Sequence, residues 1–362
     1  MRGPGERQTR LKELAQGLGL SITTVSRALG GYPDVSHKTR ERVIQAAQAL
    51  RYVPSRAGRM LVSGRSDFIG MMLPIRGDIV DAFLGVFMTG LADRLSERGR
   101  DLILATVAPG HDHLTVLRNL IDGQRVDALV INRLIQDDPR VPFLLKRRFP
   151  FVAHGRVLKA AKPYPWVDTN GEKAMADAAD MLMDLGHTHF AVIGPAEPYS
   201  YSYFRRRGLA RALERRGLAL RSEAIVEAPQ GDKPATLQAA ERLFDLEPRP
   251  TAIVGLTDIL ACAVLEVARH RGIRVPDQLS VVGYDDVPIA AYADPPLSTF
   301  NQRGRESARI VADMVVECLE RGMQAVSPRL LEAEFVSRRS HGPAPTIRAA
   351  RSADHLKRRA TA

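Results

Sequence analysis

Cysteine, tryptophan and long apolar runs are scarce in this chain, which has two cysteines and one tryptophan in 362 residues. Cys262 and Cys318 each fall within an apolar helical pattern. That reads as two reduced, buried thiols and not as a disulfide or a metal pair. No run of about 18 uncharged apolar residues occurs, so no membrane span is expected. Met1–Arg10 is polar and charged and lacks the apolar stretch of a signal peptide, which points to the cytoplasm. No GxxxxGK(S/T) phosphate loop is present, and "GLGLSI" follows a helical pattern and lacks a third glycine. His111 with His113, and His187 with His189, have no evident third ligand, so no metal is expected. Asp285 and Asp286 could pose as an acid/base pair, but adjacent strand-end side chains diverge and no nucleophile accompanies them. Neither an enzyme nor a bound cofactor is therefore expected.

What is present is a lopsided charge. Residues 1–65 hold 12 Lys/Arg against 4 Asp/Glu, a net +8. Residues 338–362 hold 7 against 1, a net +6. Of the chain's +11 this leaves −3 for residues 66–337. A basic head on a slightly acidic body reads as an anion-binding module attached to something else. The basic end is polar and lacks helical periodicity, and it reads as a disordered tail over 338–362.

In the head, Leu11, Leu14, Ala15 and Leu18 recur at helical spacing. Gly19 suits a sharp turn, and Ser21 suits the N-cap of a second helix, Ile22 to Leu29. Ser36 caps a third helix whose inward face is Val43, Ala46, Ala47 and Leu50. Three short helices with a glycine turn between the first two describe a helix-turn-helix unit. On the second helix Val25 and Leu29 point inward, with Ala28 assisting. The opposite side presents Ile22, Thr23, Ser26 and Arg27. Such a face fits the DNA major groove, where hydroxyls bond phosphates or bases and Arg bonds guanine through two donors.

From Asp67 the pattern becomes short apolar runs alternating with amphipathic helices. The predicted strands are "FIGMMLP", "DLILATV", "DALVIN", "FPFVAH", "HFAVIGP", "AIVEAP", "TAIVGL" and "LSVVGYDD". The predicted helices span Val80–Arg98, His113–Ile121, Pro142–Arg147, Gly171–Leu185, Tyr203–Arg216, Pro234–Phe244, Asp258–Arg271 and Arg303–Arg321. This alternation predicts parallel sheets covered by helices, with ligands at the carboxyl ends of the strands. Two such halves facing each other would leave a cleft between them.

The stretch "TRLKELAQGLGLSITTVSRALGG", with "VSHKTRERVIQAAQALRYVPSRAGRMLVSGRS" after it, resembles the head of the lactose repressor/galactose repressor (LacI/GalR) family of bacterial transcription regulators. The resemblance runs on through "RRRGLARAL", "VGLTDILACAVL", "RVPDQLSVVGYDD" and "DPPLSTF", and covers about Arg10 to Pro345. It implies an α/β chain: a three-helix helix-turn-helix head over 1–53 and a hinge helix over 54–66. A periplasmic-binding-protein-like body of two doubly wound subdomains then spans 67–337. The chain would cross between the subdomains near 164–168, 297–302 and 330–336.

By the same resemblance Ile22, Thr23 and Arg27 read bases, while Thr24, Ser26 and the Ser36 region hold phosphates. Leu61 matches the apolar wedge that two subunits push into the minor groove, and Arg56 and Arg59 can meet phosphates. Ser55 and Gly58 depart from the commoner Asn and Ala. Glycine costs about 1 kcal/mol in a helix relative to alanine, so the hinge is expected to be disordered without DNA. In the body Arg205 matches the effector-binding arginine three residues before a helix glycine, Gly208. Asp258 and Asp285 match two polar strand-end positions, Gln302 the crossover position, and Asp81 and Phe83 a first-loop Asn and Phe. Asp81 departs from that Asn.

Carboxylates, an arginine and an aromatic face suit a polyhydroxyl ligand. Trp166 is a stacking candidate or a core residue. His154 and Arg156 either touch ligand or brace the cleft. The expected function is a homodimeric, DNA-binding transcription regulator, a repressor, on a pseudo-palindromic double-stranded operator. A small-molecule effector, most simply a sugar, would control its affinity for DNA. The alternatives are a sugar receptor without a DNA-binding role and a regulator that answers to a nucleoside or another metabolite. A secreted receptor calls for a signal segment and no basic head, and neither requirement is met.

Overall fold

The computed structural model describes residues 11–30, 32–50, 52, 65–74, 82–107, 110 and 112–345. They fall into two compact units: a head up to Asp67 with Gln124–Asp127, and a body formed by the rest. Asp81 and the hinge residues Arg56, Arg59 and Leu61 lie outside the described residues, as do 346–362.

The head has helices α1 (Leu11–Leu18), α2 (Ile22–Leu29) and α3 (His37–Ala49). Gly19 turns the chain at φ +65°, a conformation that side chains with a Cβ resist. Ser21 Oγ then accepts the Thr24 N–H at 3.0 Å, and Ser36 Oγ accepts the Thr39 N–H at 3.2 Å, so both following helices are capped as their sequences predict. Leu14, Ala15, Val25, Ala28, Val35, Val43 and Ala47 form the core. Ala28 is fully buried while Leu29 only packs against this core. Leu50 is 48% exposed, against the expectation that it faces inward; it caps α3 beyond the last full turn.

The body is built on two parallel sheets. The first has the order β11-β5-β4-β3-β1-β2. Its strands are β1 (Phe68–Pro74), β2 (Asp101–Val107), β3 (Ala128–Ile131), β4 (Phe151–His154), β5 (Trp166–Thr169) and β11 (Arg329–Leu331). The second has the order β7-β6-β8-β9, with β6 (Phe190–Pro195), β7 (Ile225–Ala228), β8 (Ala252–Gly255) and β9 (Ser280–Val282). A separate two-stranded antiparallel sheet pairs β10 (Thr299–Asn301) with β12 (Glu334–Val336).

Alternation along the strands of the second sheet explains its continuous apolar runs. Ala191, Ile193, Ile253 and Val281 enter one core. Phe190, Val192, Val254 and Val282 enter another, so both faces are covered. The covering helices include α7 (Gly171–Asp184), α8 (Ser200–Arg215), α9 (Lys233–Glu241) and α10 (Asp258–His270). On the first sheet lie α4 (Ala82–Glu97) and α12 (Gly304–Arg321), whose Phe87, Leu91, Val311 and Val315 meet Ile69, Met71 and Val130. Helices α5 (His113–Asp122), α6 (Arg140–Arg147) and the short α11 (Pro288–Tyr292) complete the set. The chain passes from the first sheet into α7 after Thr169, returns into α12 after Asn301, and leaves again between β11 and β12.

The expected tail begins too early at 338. Ser340 is fully buried; its Oγ donates to the Val281 carbonyl at 2.6 Å and accepts the Ser298 N–H at 2.8 Å. Ala344 N–H still reaches the Leu185 carbonyl at 2.8 Å. His187 is spent on the same region: Nδ1 meets Thr251 Oγ1 at 2.9 Å and Nε2 meets Ser280 Oγ at 3.0 Å. Backbone pairing and buried hydroxyls, invisible as apolar periodicity, fix this segment to the body.

Helices α7 and α8 approach so closely at Gly208 that an added Cβ would lie 1.9 Å from the Glu172 carbonyl oxygen. Neither backbone can yield cheaply. Gly208→Ala should therefore destabilise the body by about 3 kcal/mol despite the better helix former. Thermal unfolding of the full chain should show the body transition several degrees lower; an unchanged transition would contradict this packing.

Candidate functional site

Two surfaces carry the expected chemistry. On α2 the first is as anticipated in part. Ile22 is 47% exposed, Thr23 and Arg27 are exposed, and Thr24 and Ser26 are half-buried. Thr24 Oγ1 lies 2.8 Å from Ser21 Oγ and Ser36 Oγ caps α3, so both hydroxyls already serve the helix ends. The Arg27 guanidinium pairs with Asp34 at 2.9 Å and stands 5.0 Å from the Tyr32 ring. An exposed pair of this kind contributes only about 0–1 kcal/mol, so Arg27 is pre-aimed without being locked.

The second is a cleft, open to solvent, at the carboxyl ends of the strands of both sheets. From the first half come Phe83 on α4, Asn132–Leu134 after β3, His154–Arg156 at the end of β4, and Asp168 on β5. From the second come Ser200, Tyr201 and Arg205 on α8, Thr257 after β8 and Asp285 after β9. Gln302, just past β10, completes the wall. Thus Phe83, His154, Arg156, Arg205, Asp285 and Gln302 are brought together as expected.

Arg205 is 5% exposed and is held from several sides. Nη1 donates to the Leu256 carbonyl at 2.5 Å, and Nη2 lies 3.6 Å from Asp285 Oδ1. Its guanidinium stands 3.6 Å from the Tyr284 ring centroid and 4.5 Å from that of Tyr201. A Cβ on Gly171 would fall 2.9 Å from Arg205 Cγ, so the glycine at the start of α7 makes room for this side chain. Gln302 Nε2 donates to Asp285 Oδ1 at 2.6 Å. Burial nevertheless lifts the Asp285 carboxyl to about 7, against the pull of Arg205. On the other wall Arg156 Nε donates to Asp168 Oδ2 at 3.0 Å, and burial lifts Asp168 to about 6. His154 packs against Phe87 at 4.3 Å and stacks on Phe83 at 5.7 Å; burial, with Arg205 adding to it, lowers it to about 4 and keeps it neutral.

Two expected ligand residues do not line this cavity. Asp258 is fully buried. Its Oδ2 accepts the Val287 N–H at 2.9 Å and its Oδ1 the Thr299 hydroxyl at 2.5 Å, so it braces α10 against the crossover. Trp166 is covered by the Arg156 guanidinium, 5.4 Å from its ring, and Arg156 is the side chain that reaches the cavity.

Asn132, Arg133, Asp168, Ser200, Tyr201 and Thr257 were not singled out in the sequence. Asn132 is 3% exposed, and its Oδ1 and Nδ2 find no hydrogen-bond partner among the described residues; neither does Ser200 Oγ. Asn132 had a legible signal, a polar residue closing the apolar strand "DALVIN".

A helix-turn-helix head and an α/β body with a polar, solvent-open cleft, carried in one chain, define an effector-controlled DNA-binding regulator. Comparisons with known proteins agree. The family described as "Bacterial regulatory proteins, lacI family" matches residues 10–55, and "Periplasmic binding protein-like domain" matches residues 179–341. The HTH-type transcriptional regulator AglR of Rhizobium meliloti (strain 1021) is 34% identical over 92% of this chain and 95% of its own length. The HTH-type transcriptional repressor CytR of Escherichia coli (strain K12) is 27% identical over 92% of this chain and 97% of its own. A solved structure described as a transcriptional regulator CelR-cellobiose complex is 28% identical, covers 92% of this chain and 99% of that one, and superposes with a TM-score of 0.70. The chain belongs to the LacI family of bacterial transcriptional regulators. No helix among the described residues is long and apolar enough to cross a membrane.

The lifted acids carry a pH signature. An acid whose folded pKa lies above its unfolded value stabilises the fold at low pH, and that contribution is lost as pH rises through the folded value. For Asp285 the window runs from about 4 to about 7. Asn imitates the protonated acid. Asp285→Asn should therefore change the body's stability more favourably at pH 8 than at pH 5, by on the order of a few kcal/mol. Urea unfolding at the two pH values reads the difference, and equal effects at both would contradict the burial assigned to Asp285.

Proposed function

We propose that this regulator is a repressor that acts as a homodimer on a pseudo-palindromic operator, and that its effector is a sugar held in the body cavity. The observation that carries the sugar reading is the set of polar groups left incomplete there. Asn132 Oδ1 and Nδ2 and Ser200 Oγ are buried without hydrogen-bond partners among the described residues, beside the Arg205–Asp285–Gln302 cluster. An unmet buried polar group costs about 1–3 kcal/mol, and a ligand rich in hydroxyls supplies donors and acceptors to all of them. Phe83 offers an apolar face beside them. The likeness to the CelR-cellobiose complex supports the same class of effector.

At the other end, α2 presents Ile22, Thr23, Ser26 and Arg27 to DNA, with Thr24 and Ser36 near phosphates. Arg56, Arg59 and Leu61 take the hinge role by family resemblance alone, and Asp81 its place in the effector loop likewise. The mechanism is linkage: a sugar that binds the DNA-competent and incompetent forms unequally shifts the balance between them. Closing the cleft on sugar would part the paired hinges and release the operator.

Arg27→Ala should weaken binding to the cognate operator by about 1–3 kcal/mol and relax sequence choice, since it removes a two-donor contact to guanine. Gel shifts with cognate and scrambled duplexes measure both. Arg205→Ala should abolish the response to effector while leaving operator affinity intact. Simultaneous loss of operator binding in a folded Arg205 variant would count against the division of labour.

A further inference from the structure

Four carboxylates accompany the 12 Lys/Arg of residues 1–65, and one of them, Asp34, is set against the reading helix. Phosphate repels a carboxylate, so an acid at a DNA-facing edge weakens binding unless it serves sequence choice. Asp34 stands two residues before the Ser36 cap of α3, and its Oδ2 lies 2.9 Å from Nη2 of Arg27, the cation in the last turn of α2. The segment that carries it is anchored on both sides. The Tyr32 N–H donates to the Arg27 carbonyl at 3.1 Å, and the Val35 N–H donates to the Tyr32 carbonyl at 3.3 Å. Arg40 Nη2, on α3, donates to that same Tyr32 carbonyl at 2.6 Å, and Val35 belongs to the core of the head. Gly30 leaves room for the Tyr32 ring, which a Cβ there would approach to 3.0 Å.

The Arg27 guanidinium thus has a carboxylate at one edge and the Tyr32 ring 5.0 Å away, while the Arg27 and Asp34 side chains remain 45% and 51% exposed. A guanidinium carries several N–H donors in a rigid plane. A pair of them matches the O6 and N7 acceptors of guanine, which leaves others for a second acceptor. A carboxylate and a ring on an anchored backbone hold that fork in one direction. The same carboxylate offsets the charge that would otherwise seek phosphate, and phosphate contacts carry no direct sequence information. Such an exposed pair adds little to the stability of the head. Its effect falls on what Arg27 meets next.

We propose that Asp34 is a specificity-determining positioning residue: it directs the Arg27 guanidinium toward a base edge and withholds it from phosphate. This rests on the base-reading role given to Arg27 above and adds the residue that enforces it.

The full chain first selects its duplex from a randomised library, and that duplex with all its single-base variants serves as the probe set. Arg27→Ala should remove base discrimination at one position of each half-site, which marks the base that Arg27 reads. Asp34→Asn keeps the shape of the side chain and removes its charge. It should reduce discrimination at the marked position about fivefold and leave the other positions within about twofold. It should also tighten binding to a scrambled duplex about threefold and steepen the salt dependence of that binding. Asp34→Ala should act in the same direction, and unchanged discrimination at the other positions shows that the head is folded in both variants. In a chain that already carries Arg27→Ala, Asp34→Asn should alter discrimination at no position. Full discrimination kept at the marked position, an equal loss at every position, or no gain on scrambled DNA would overturn the proposal and leave base reading by Arg27 standing. If Arg27→Ala altered no position, that reading would itself fall, and the role of Asp34 with it.

Discussion

The buried Arg205 guanidinium is the constraint around which the body's cavity is arranged. A charge 5% exposed is tolerated only where surrounding groups replace water. Here a backbone carbonyl, two tyrosine rings and a carboxylate at 3.6 Å do so, and Gly171 clears the space for the side chain. The compensation is incomplete. Asp285 resists ionisation below about 7, and among the described residues the buried side-chain polar atoms of Asn132 and Ser200 find no hydrogen-bond partner. The cavity is thus a polar network left unfinished, and such a network is stable enough to persist yet gains when a ligand completes it.

That incompleteness is distributed across both halves of the body. Asp168 and Arg156 belong to the first sheet's end, Arg205 and Asp285 to the second's, and Gln302 to a crossover between them. A ligand that satisfies groups on both walls favours whichever separation of the halves brings them to hydrogen-bonding distance. Regulation needs no more than this differential affinity, because a ligand shifts an equilibrium only by the difference in its binding to the two forms.

Much of this was legible in the sequence, for identifiable reasons. Strands buried on both faces read as unbroken apolar runs, so β6, β8 and β9 were found, and the Gly19 turn with Ser21 gave away the helix-turn-helix. Arg205, Asp285 and Gln302 followed from family resemblance and do meet at one cavity. What was missed depends on contacts far apart in the chain. Asp258 stands at the start of a helix like a ligand residue, but its carboxylate is consumed by Val287 and Thr299, 29 and 41 positions away. Trp166 is next to the cavity in sequence, yet Arg156 covers its ring. Ser340 carries no periodic signal, and only its partners on Val281 and Ser298 show that the body continues past residue 338.

The central claim is that one ligand site in the body governs DNA binding by the head. Thermodynamic reciprocity tests it most directly. The operator affinity of the full chain is measured with and without a saturating sugar effector, and the affinity for that sugar with and without saturating operator. Linkage predicts the same factor in both directions, at least about fivefold for a coupling of 1 kcal/mol or more. A sugar that binds the body tightly while operator leaves its affinity unchanged would contradict the account.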